Sequence, residues 1–268
     1  MNGRGSRFPY STIWPSLWKL VYRGLYQGIM FKQLILVLRS ALFHVGYVLT
    51  TIVMSFIFIL LFPLMSPRRR HGFAAAWCKS ILAWLRLSCG VNYEITGTDN
   101  LLEQPAVYLS NHQSSWETLL FYSLIFPISP ILKMELLKIP FWGWALRLLK
   151  PIAIDRSKPR EAARSLLLQG EQRLNEGNSI IIFPEGSRSE PGTIRKFSRG
   201  GASLAVAADV PIVPIVHNAG YTWPARQFIK YPGTVSVVVG QTIQINGRSV
   251  NELTETVEQW TREQFVSR

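Results

Sequence analysis

Acidic residues are scarce in this chain. Sixteen Asp and Glu stand against 29 Lys and Arg, a formal net charge of +13 over 268 residues. Cysteine is scarcer still. Cys78 and Cys89 lie in an apolar stretch with neither a C-x-x-C spacing nor a nearby histidine, which argues against a disulfide framework, a redox pair or a zinc-type centre. Both thiols read as buried and inert, and no metal site is expected. No G-x-S-x-G turn is present to expose a serine nucleophile, which argues against a covalent acyl-enzyme on Ser114 or Ser115. The basic N-terminal region is too long, and the apolar run behind it too extended, for a cleaved signal peptide. There is no internal repeat or low-complexity linker. The positive charge would suit nucleic acid, but no binding module is recognisable, and the basic residues gather near an apolar segment and a glycine-containing loop; no nucleic-acid partner is expected.

Apolar character is what the chain has in plenty: 48% of residues are hydrophobic and 12% aromatic. From Ala41 to Met65 no Asp, Glu, Lys or Arg occurs, a run of about 25 residues against the ~20 that cross a bilayer core as a helix. Membrane attachment is the firmest inference from composition. Before that run, Arg4, Arg7, Lys19, Arg23, Lys32 and Arg39 are mixed with Trp14, Trp18, Tyr22 and Tyr26, the four rings falling every fourth residue. That pattern suits a membrane interface, although an aromatic core stripe would look the same. After the run come Pro67 and Arg68-Arg69-Arg70. Positive charge on both flanks opposes a simple span under the positive-inside tendency. The alternative is a segment that dips in and returns, bending near Gly46 or the Thr50-Thr51-Ser55 region.

A short amphipathic helix is expected over Trp77–Leu87, and beyond Asn92 short β-branched runs alternate with helical stretches. Strands are expected at Ala106–Leu109, Pro130–Leu132, Ile152–Ile154, Ile180–Phe183, Ile212–Val216 and Val235–Val239. Helices are expected at Glu117–Leu124, Leu136–Leu149, Arg160–Asn175, Gly201–Ala208 and Asn251–Phe265. The alternation argues an α/β domain over residues 91–268, with a mostly buried central sheet flanked by helices and preceded by a membrane-embedded helical region over residues 1–90.

Two constellations carry chemistry. The strand Ala106–Leu109 runs into Ser110-Asn111-His112, placing His112 and Glu117 around a strand-to-helix turn, where α/β folds expose reactive groups. Histidine suits proton removal near neutral pH, and a carboxylate on its other ring nitrogen fixes the tautomer. In one regular helix the two would point about 140° apart, so the pair works only with His112 in the turn. Ser114-Ser115-Trp116-Glu117 equally fits a capping box, with Glu117 on a backbone N–H. The second constellation, Phe183-Pro184-Glu185-Gly186-Ser187-Arg188, follows a strand. Gly186 lets backbone N–H groups approach an anion, while Ser187 and Arg188 add a hydroxyl and a forked cation. Arg195, Lys196 and Arg199 follow, then Gly200-Gly201 and a small-residue helix whose N-terminus favours phosphate. A solvated basic loop is the plain alternative. Arg156, with Asp155 beside it, ends another strand and is a further candidate cation.

In order along the chain, Asn111–Glu117, Ile154–Arg156, Phe183–Arg188 and Val210–Pro214 resemble the four sequence blocks of the glycerolipid acyltransferases, typified by bacterial 1-acylglycerol-3-phosphate acyltransferase. Lys133, the stretch Ile139–Trp144 and Pro214–Gly220 also look like the bacterial members. Glu117 stands where the family's H-x4-D motif has aspartate, and Ser187 where threonine is commoner. The resemblance implies an enzyme in which His112, oriented by Glu117, deprotonates the sn-2 hydroxyl of a lysophosphatidate-type lipid for attack on an acyl thioester of coenzyme A or acyl carrier protein, forming phosphatidic acid in phospholipid biosynthesis without a further cofactor. Backbone N–H groups would stabilise the oxyanion. It further implies that Arg156, Glu185, Gly186, Ser187, Arg188 and Arg199 hold the glycerol-phosphate part, with the enzyme at the bacterial inner membrane and its catalytic domain cytoplasmic. Glycerol-3-phosphate or a lyso-ornithine lipid as acceptor, and a non-catalytic lipid-binding protein, are the competing readings. Oligomeric state is not read from the sequence.

Overall fold

The computed structural model describes the backbone of residues 14–155 and 157–266 and, within them, the side chains of residues 30–265 other than Pro159. The aromatic face of Trp14, Trp18, Tyr22 and Tyr26, the basic Arg4 and Arg7, and Arg156 lie outside the described residues.

The chain begins as a long helix, α1 (Trp14–Leu61), turns through a 3-10 segment at Phe62–Leu64 and returns as α2 (Pro67–Cys89). Pro63 and Pro67 punctuate the turn because neither can donate into a preceding helical ladder. Ser66 caps α2 by accepting the Arg69 N–H at 3.4 Å, with Pro67 in the first turn, an arrangement that suits a helix start. Gly90, at φ 72°, ends the helix as left-handed C-terminal glycines do. The helix expected over Trp77–Leu87 thus lies within α2. The bend expected near Gly46 or Thr50-Thr51-Ser55 is absent, since α1 runs straight through those positions. Thr50 and Thr51 return their hydroxyls to the carbonyls of Gly46 and Tyr47 at 2.6 Å each, which satisfies them inside the helix. Gly46 instead admits Trp84, whose indole N–H donates to the Phe43 carbonyl at 3.2 Å.

Residues 30–64 are long and apolar enough to cross a membrane, with a mean hydropathy of 2.4 and 11% buried in the most apolar window. Leu38, Leu42, Val45, Leu49, Val53, Phe56 and Leu60 are all exposed. The opposite side of α1 joins the protein's interior: Phe43 and Phe58 belong to one hydrophobic cluster with Ile81 and Leu85 of α2 and with Trp116, Val235 and Val237. Packing is therefore continuous across residue 90.

After α2 the described residues form eight strands: β1 (Val91–Thr96), β2 (Val107–Ser110), β3 (Ile128–Ser129), β4 (Ile131–Lys133), β5 (Ile152–Ile154), β6 (Ser179–Ile182), β7 (Ile212–His217) and β8 (Gly233–Val239). Six form one sheet in the order β1-β8-β7-β2-β6-β3, and β4 and β5 pair separately. All pairings are parallel except β7 with β8. β2, β6 and β7 are buried throughout, as near-continuous Val/Ile/Leu runs demand when helices cover both faces. The expected mostly buried sheet is present. β1 and β3 were not expected, and the strand expected at Pro130–Leu132 is β4, which pairs with β5 outside the main sheet. The helices are α3 (Trp116–Leu124), α4 (Trp142–Leu148), α5 (Pro159–Asn175), α6 (Gly200–Ala208) and α7 (Val250–Val266). One continuous helix over Leu136–Leu149 does not form. A 3-10 segment Met134–Lys138 and α4 replace it, because Pro140 interrupts the ladder and Phe141 takes φ 60°.

A Cβ at Gly46 would lie 2.2 Å from the Trp84 indole nitrogen. Gly46→Val is expected to destabilise the α1–α2 pair by about 1–3 kcal/mol, read as a lowered Tm of the purified protein in detergent. An unchanged Tm would show that the two helices do not depend on this contact.

Candidate active site

Parallel pairing explains how distant segments meet. β2, β6 and β7 are adjacent and point the same way, so their C-terminal ends deliver Ser110–Gln113, Phe183–Arg188 and His217–Gly220 to one rim.

At that rim His112 lies in the turn before α3, and its Nδ1 is 2.7 Å from Glu117 Oε1. Glu117 is fully buried and His112 is 8% exposed. The same Glu117 oxygen accepts the N–H groups of Ser114 at 2.8 Å and Gln113 at 3.1 Å. Capping and orienting His112, which the sequence left as alternatives, are thus both performed by one atom. Burial opposes ionisation of Glu117, but the hydrogen bonds from the His112 ring and the Ser114 N–H outweigh it and hold the carboxyl below its ordinary range. An ionised carboxylate accepts only, so His112 carries its proton on Nδ1 and leaves Nε2 as a base. Phe183 stacks on the imidazole with centroids 4.2 Å apart.

A second buried histidine braces the turn. Asn111 Nδ2 donates to the His217 carbonyl at 2.9 Å, and Asn111 Oδ1 accepts the His217 N–H at 3.0 Å. His217 Nδ1 accepts the Ala219 N–H at 3.2 Å, so its Nε2–H donates to the Asn111 carbonyl at 2.9 Å. Burial holds this imidazole below its ordinary pKa, as both contacts require of a neutral ring. Gln113 adds another tie, accepting the Gly220 N–H at 3.3 Å and donating to the Thr193 carbonyl at 3.3 Å. A polar residue ending the buried run Ile212–Val216 was the available sequence signal for His217. Its pairing with Asn111 had none.

The second motif closes on the first through Glu185. One of its carboxylate oxygens accepts the His112 N–H at 2.8 Å and the other the Arg195 N–H at 3.0 Å. Ser189 donates both N–H and hydroxyl to the His112 carbonyl, at 2.8 and 3.1 Å. Gly186, at φ 71°, permits the tight turn between them. Ser187 Oγ accepts from Arg195 Nη1 at 2.7 Å.

His112, Ser187 and Arg188 line a cavity of about 570 Å³. Met54, Phe58, Phe73, Leu146 and Leu149 form its apolar wall, and Lys133 and Arg226 also reach it. Arg199 occupies the N-cap of α6 and is exposed. Neither it nor any residue of α6 lines the cavity. Glu258 Oε2 accepts the N–H of Phe197, which precedes α6, at 2.9 Å. Asp155 Oδ1 accepts the N–H and hydroxyl of Ser157 at 2.9 and 2.6 Å. Among the described residues no group of His, Cys, Asp and Glu could hold a metal ion.

A family model described as Acyltransferase matches residues 92–218, the span from β1 to the end of β7. The chain is 43% identical over 230 residues to the 1-acyl-sn-glycerol-3-phosphate acyltransferase of Pseudomonas aeruginosa, covering 84% of this chain and 90% of the relative. The chain belongs to the acyltransferase family. It is also 31% identical over 191 residues to the chloroplastic 1-acyl-sn-glycerol-3-phosphate acyltransferase LPAT1 of Arabidopsis thaliana, covering 69% of this chain and about half (52%) of that longer relative. The fold is similar to the crystal structure of the 1-acyl-sn-glycerophosphate (LPA) acyltransferase PlsC from Thermotoga maritima. That match has a TM-score of 0.72 at 22% identity and covers 87% of this chain and 96% of that one. In this acyltransferase, Glu117 takes the aspartate's place in the H-x4-D pattern and still reaches the imidazole at 2.7 Å.

Glu117→Gln keeps the shape and removes the charge. It is expected to lower kcat by at least about 10²-fold. Because the folded carboxyl lies below its ordinary value of 4.5, its ionisation stabilises the native state above that value, and this contribution is lost as pH falls through the folded pKa. Melting curves in detergent from pH 7 down to pH 3 should show the variant losing less stability than the wild type on acidification. Parallel losses would contradict a depressed Glu117.

Proposed function

We propose that the chain transfers a fatty acyl group from a thioester of coenzyme A or acyl carrier protein to the sn-2 hydroxyl of 1-acylglycerol-3-phosphate. The observation that carries this reading is one cavity that joins an imidazole base to an apolar wall and to the cations Lys133 and Arg188. Relatives named for this reaction support the choice of acceptor. His112 Nε2 removes the proton of the sn-2 hydroxyl as its oxygen bonds to the thioester carbon, and Glu117 stabilises the imidazolium that forms. Collapse of the tetrahedral adduct breaks the C–S bond, and the imidazolium returns the proton to the departing thiolate. The apolar wall suits the acyl chains, and Ser187 and Arg188 suit the phosphate. None of these steps calls for a metal or an added cofactor.

The exposed apolar side of α1 supports a membrane setting, since an apolar face of this extent is seldom left to water. Lys32 and Arg68–Arg70 flank that face and suit the anionic cytoplasmic leaflet. We accordingly assign the enzyme to the bacterial inner membrane with its catalytic domain on the cytoplasmic side.

The purified protein in lipid nanodiscs, given labelled acyl-coenzyme A or acyl carrier protein, should form phosphatidic acid from lysophosphatidate. His112→Ala should lower that rate by about 10²–10⁴-fold. Product from glycerol-3-phosphate or a lyso-ornithine lipid alone would overturn the acceptor, and undiminished turnover by His112→Ala would overturn the mechanism.

A further inference from the structure

We propose that Arg226 supplies, together with Arg188, a second guanidinium to the phosphomonoester of the lipid acceptor; this rests on the acceptor named above. Arg226 lies past the segment matched by the family model, which ends at residue 218, and outside every motif visible in the sequence.

Three observations converge on it. First, Arg226 lines the same cavity as His112, Ser187 and Arg188, although it comes from the loop that follows β7 rather than from β6. Second, its backbone is in the left-handed region at φ 63°. It holds the third position of a turn closed by the Gln227 N–H on the Pro224 carbonyl at 3.4 Å, where glycine would be unstrained. A bulky residue kept in such a conformation beside a cavity points to a use for its side chain. Third, no Asp or Glu is among the described residues lining the cavity, which nevertheless presents Lys133, Arg188 and Arg226.

The loop is also held in place. The Tyr231 N–H bonds the Thr222 carbonyl at 2.8 Å, and the Lys230 N–H donates to Ser40 Oγ of α1 at 2.9 Å. The buried Lys230 ammonium donates to the carbonyls of Gln227 and Phe228 at 2.7 and 2.8 Å. Trp223 packs edge-on against Phe43 of α1 with centroids 5.1 Å apart. Arg226 therefore projects from a braced turn, and less backbone freedom is lost when an anion binds.

Phosphate chemistry decides between the two substrates. A phosphomonoester carries nearly two negative charges at neutral pH and is met best by forked guanidinium donors. In lysophosphatidate the phosphate is borne on the carbon next to the one carrying the reacting hydroxyl, so it must lie close to His112. The phosphates of a thioester donor are separated from the sulfur by the whole pantetheine arm. A cation in the His112 cavity thus faces the acceptor.

The test is steady-state kinetics of the full-length protein in nanodiscs for wild type, R226K, R226Q and R226G, varying lysophosphatidate and acyl-coenzyme A separately. R226Q and R226G should raise the lysophosphatidate KM by about tenfold or more with kcat and donor KM nearly unchanged. R226K should fall between them and wild type, and R226G should melt no lower than wild type, because glycine relieves the turn. An unchanged acceptor KM, or a rise confined to the donor KM, would overturn the proposal. A wild type that forms no phosphatidic acid would instead count against the acceptor reading itself. The proposal is then judged by thermal shift with lysophosphatidate micelles, where equal stabilisation of wild type and R226G would overturn it.

Discussion

Everything in this site depends on one oxygen. Glu117 Oε1 receives the His112 Nδ1–H and the backbone N–H groups of Gln113 and Ser114 in a fully buried position. Burying a carboxylate is costly unless donors surround it, and here those donors are the His112 ring and the turn that carries it. The charge that orients the imidazole therefore also fixes the backbone beneath it. The other oxygen, Oε2, is buried without a hydrogen-bond partner among the described residues, which concentrates the carboxylate's bonding on this turn.

The surrounding structure serves to keep that turn in place. Three neighbouring parallel strands end at the same rim, and the loops that leave them are bonded to one another: Glu185 to the His112 N–H, Ser189 to the His112 carbonyl, and Asn111 to His217. The α1–α2 pair closes the other side, giving Tyr47, Phe58, Phe73 and Trp77 to the cavity wall. The cavity thus joins an imidazole held by the sheet to an apolar wall supplied by the helices that carry the exposed apolar face. Binding energy from a long acyl chain can then contribute to positioning the reacting hydroxyl.

Much of this could be read from residue types. Buried strands announced themselves as β-branched runs, and His112 and Glu117 were visible as a pair, although spacing alone did not separate a cap from an orienting acid; the structure shows that no choice was needed. β1 escaped notice because most of its residues are exposed or polar, and β3 because it is two residues long. Pro140 was passed over inside an apolar stretch, which turned two short segments into one expected helix. The bend sought at Gly46 misread a glycine whose use is close contact with Trp84. One Glu185 oxygen lies on the His112 N–H, supplied by chain far from it in sequence, and periodicity has no access to that pairing. Arg226 carried no signal, since its position depends on the loop being braced against α1.

The most direct test is the protonation pattern of the His112 ring, measured by 15N NMR of histidine-labelled protein in detergent micelles at a pH where the ring is neutral. A His112 variant would assign its signals among the four histidines. The account predicts a protonated Nδ1 and a bare Nε2, with this preference weakened in Glu117→Gln. A proton on Nε2 would contradict it, because the nitrogen facing the lipid could not then act as the base.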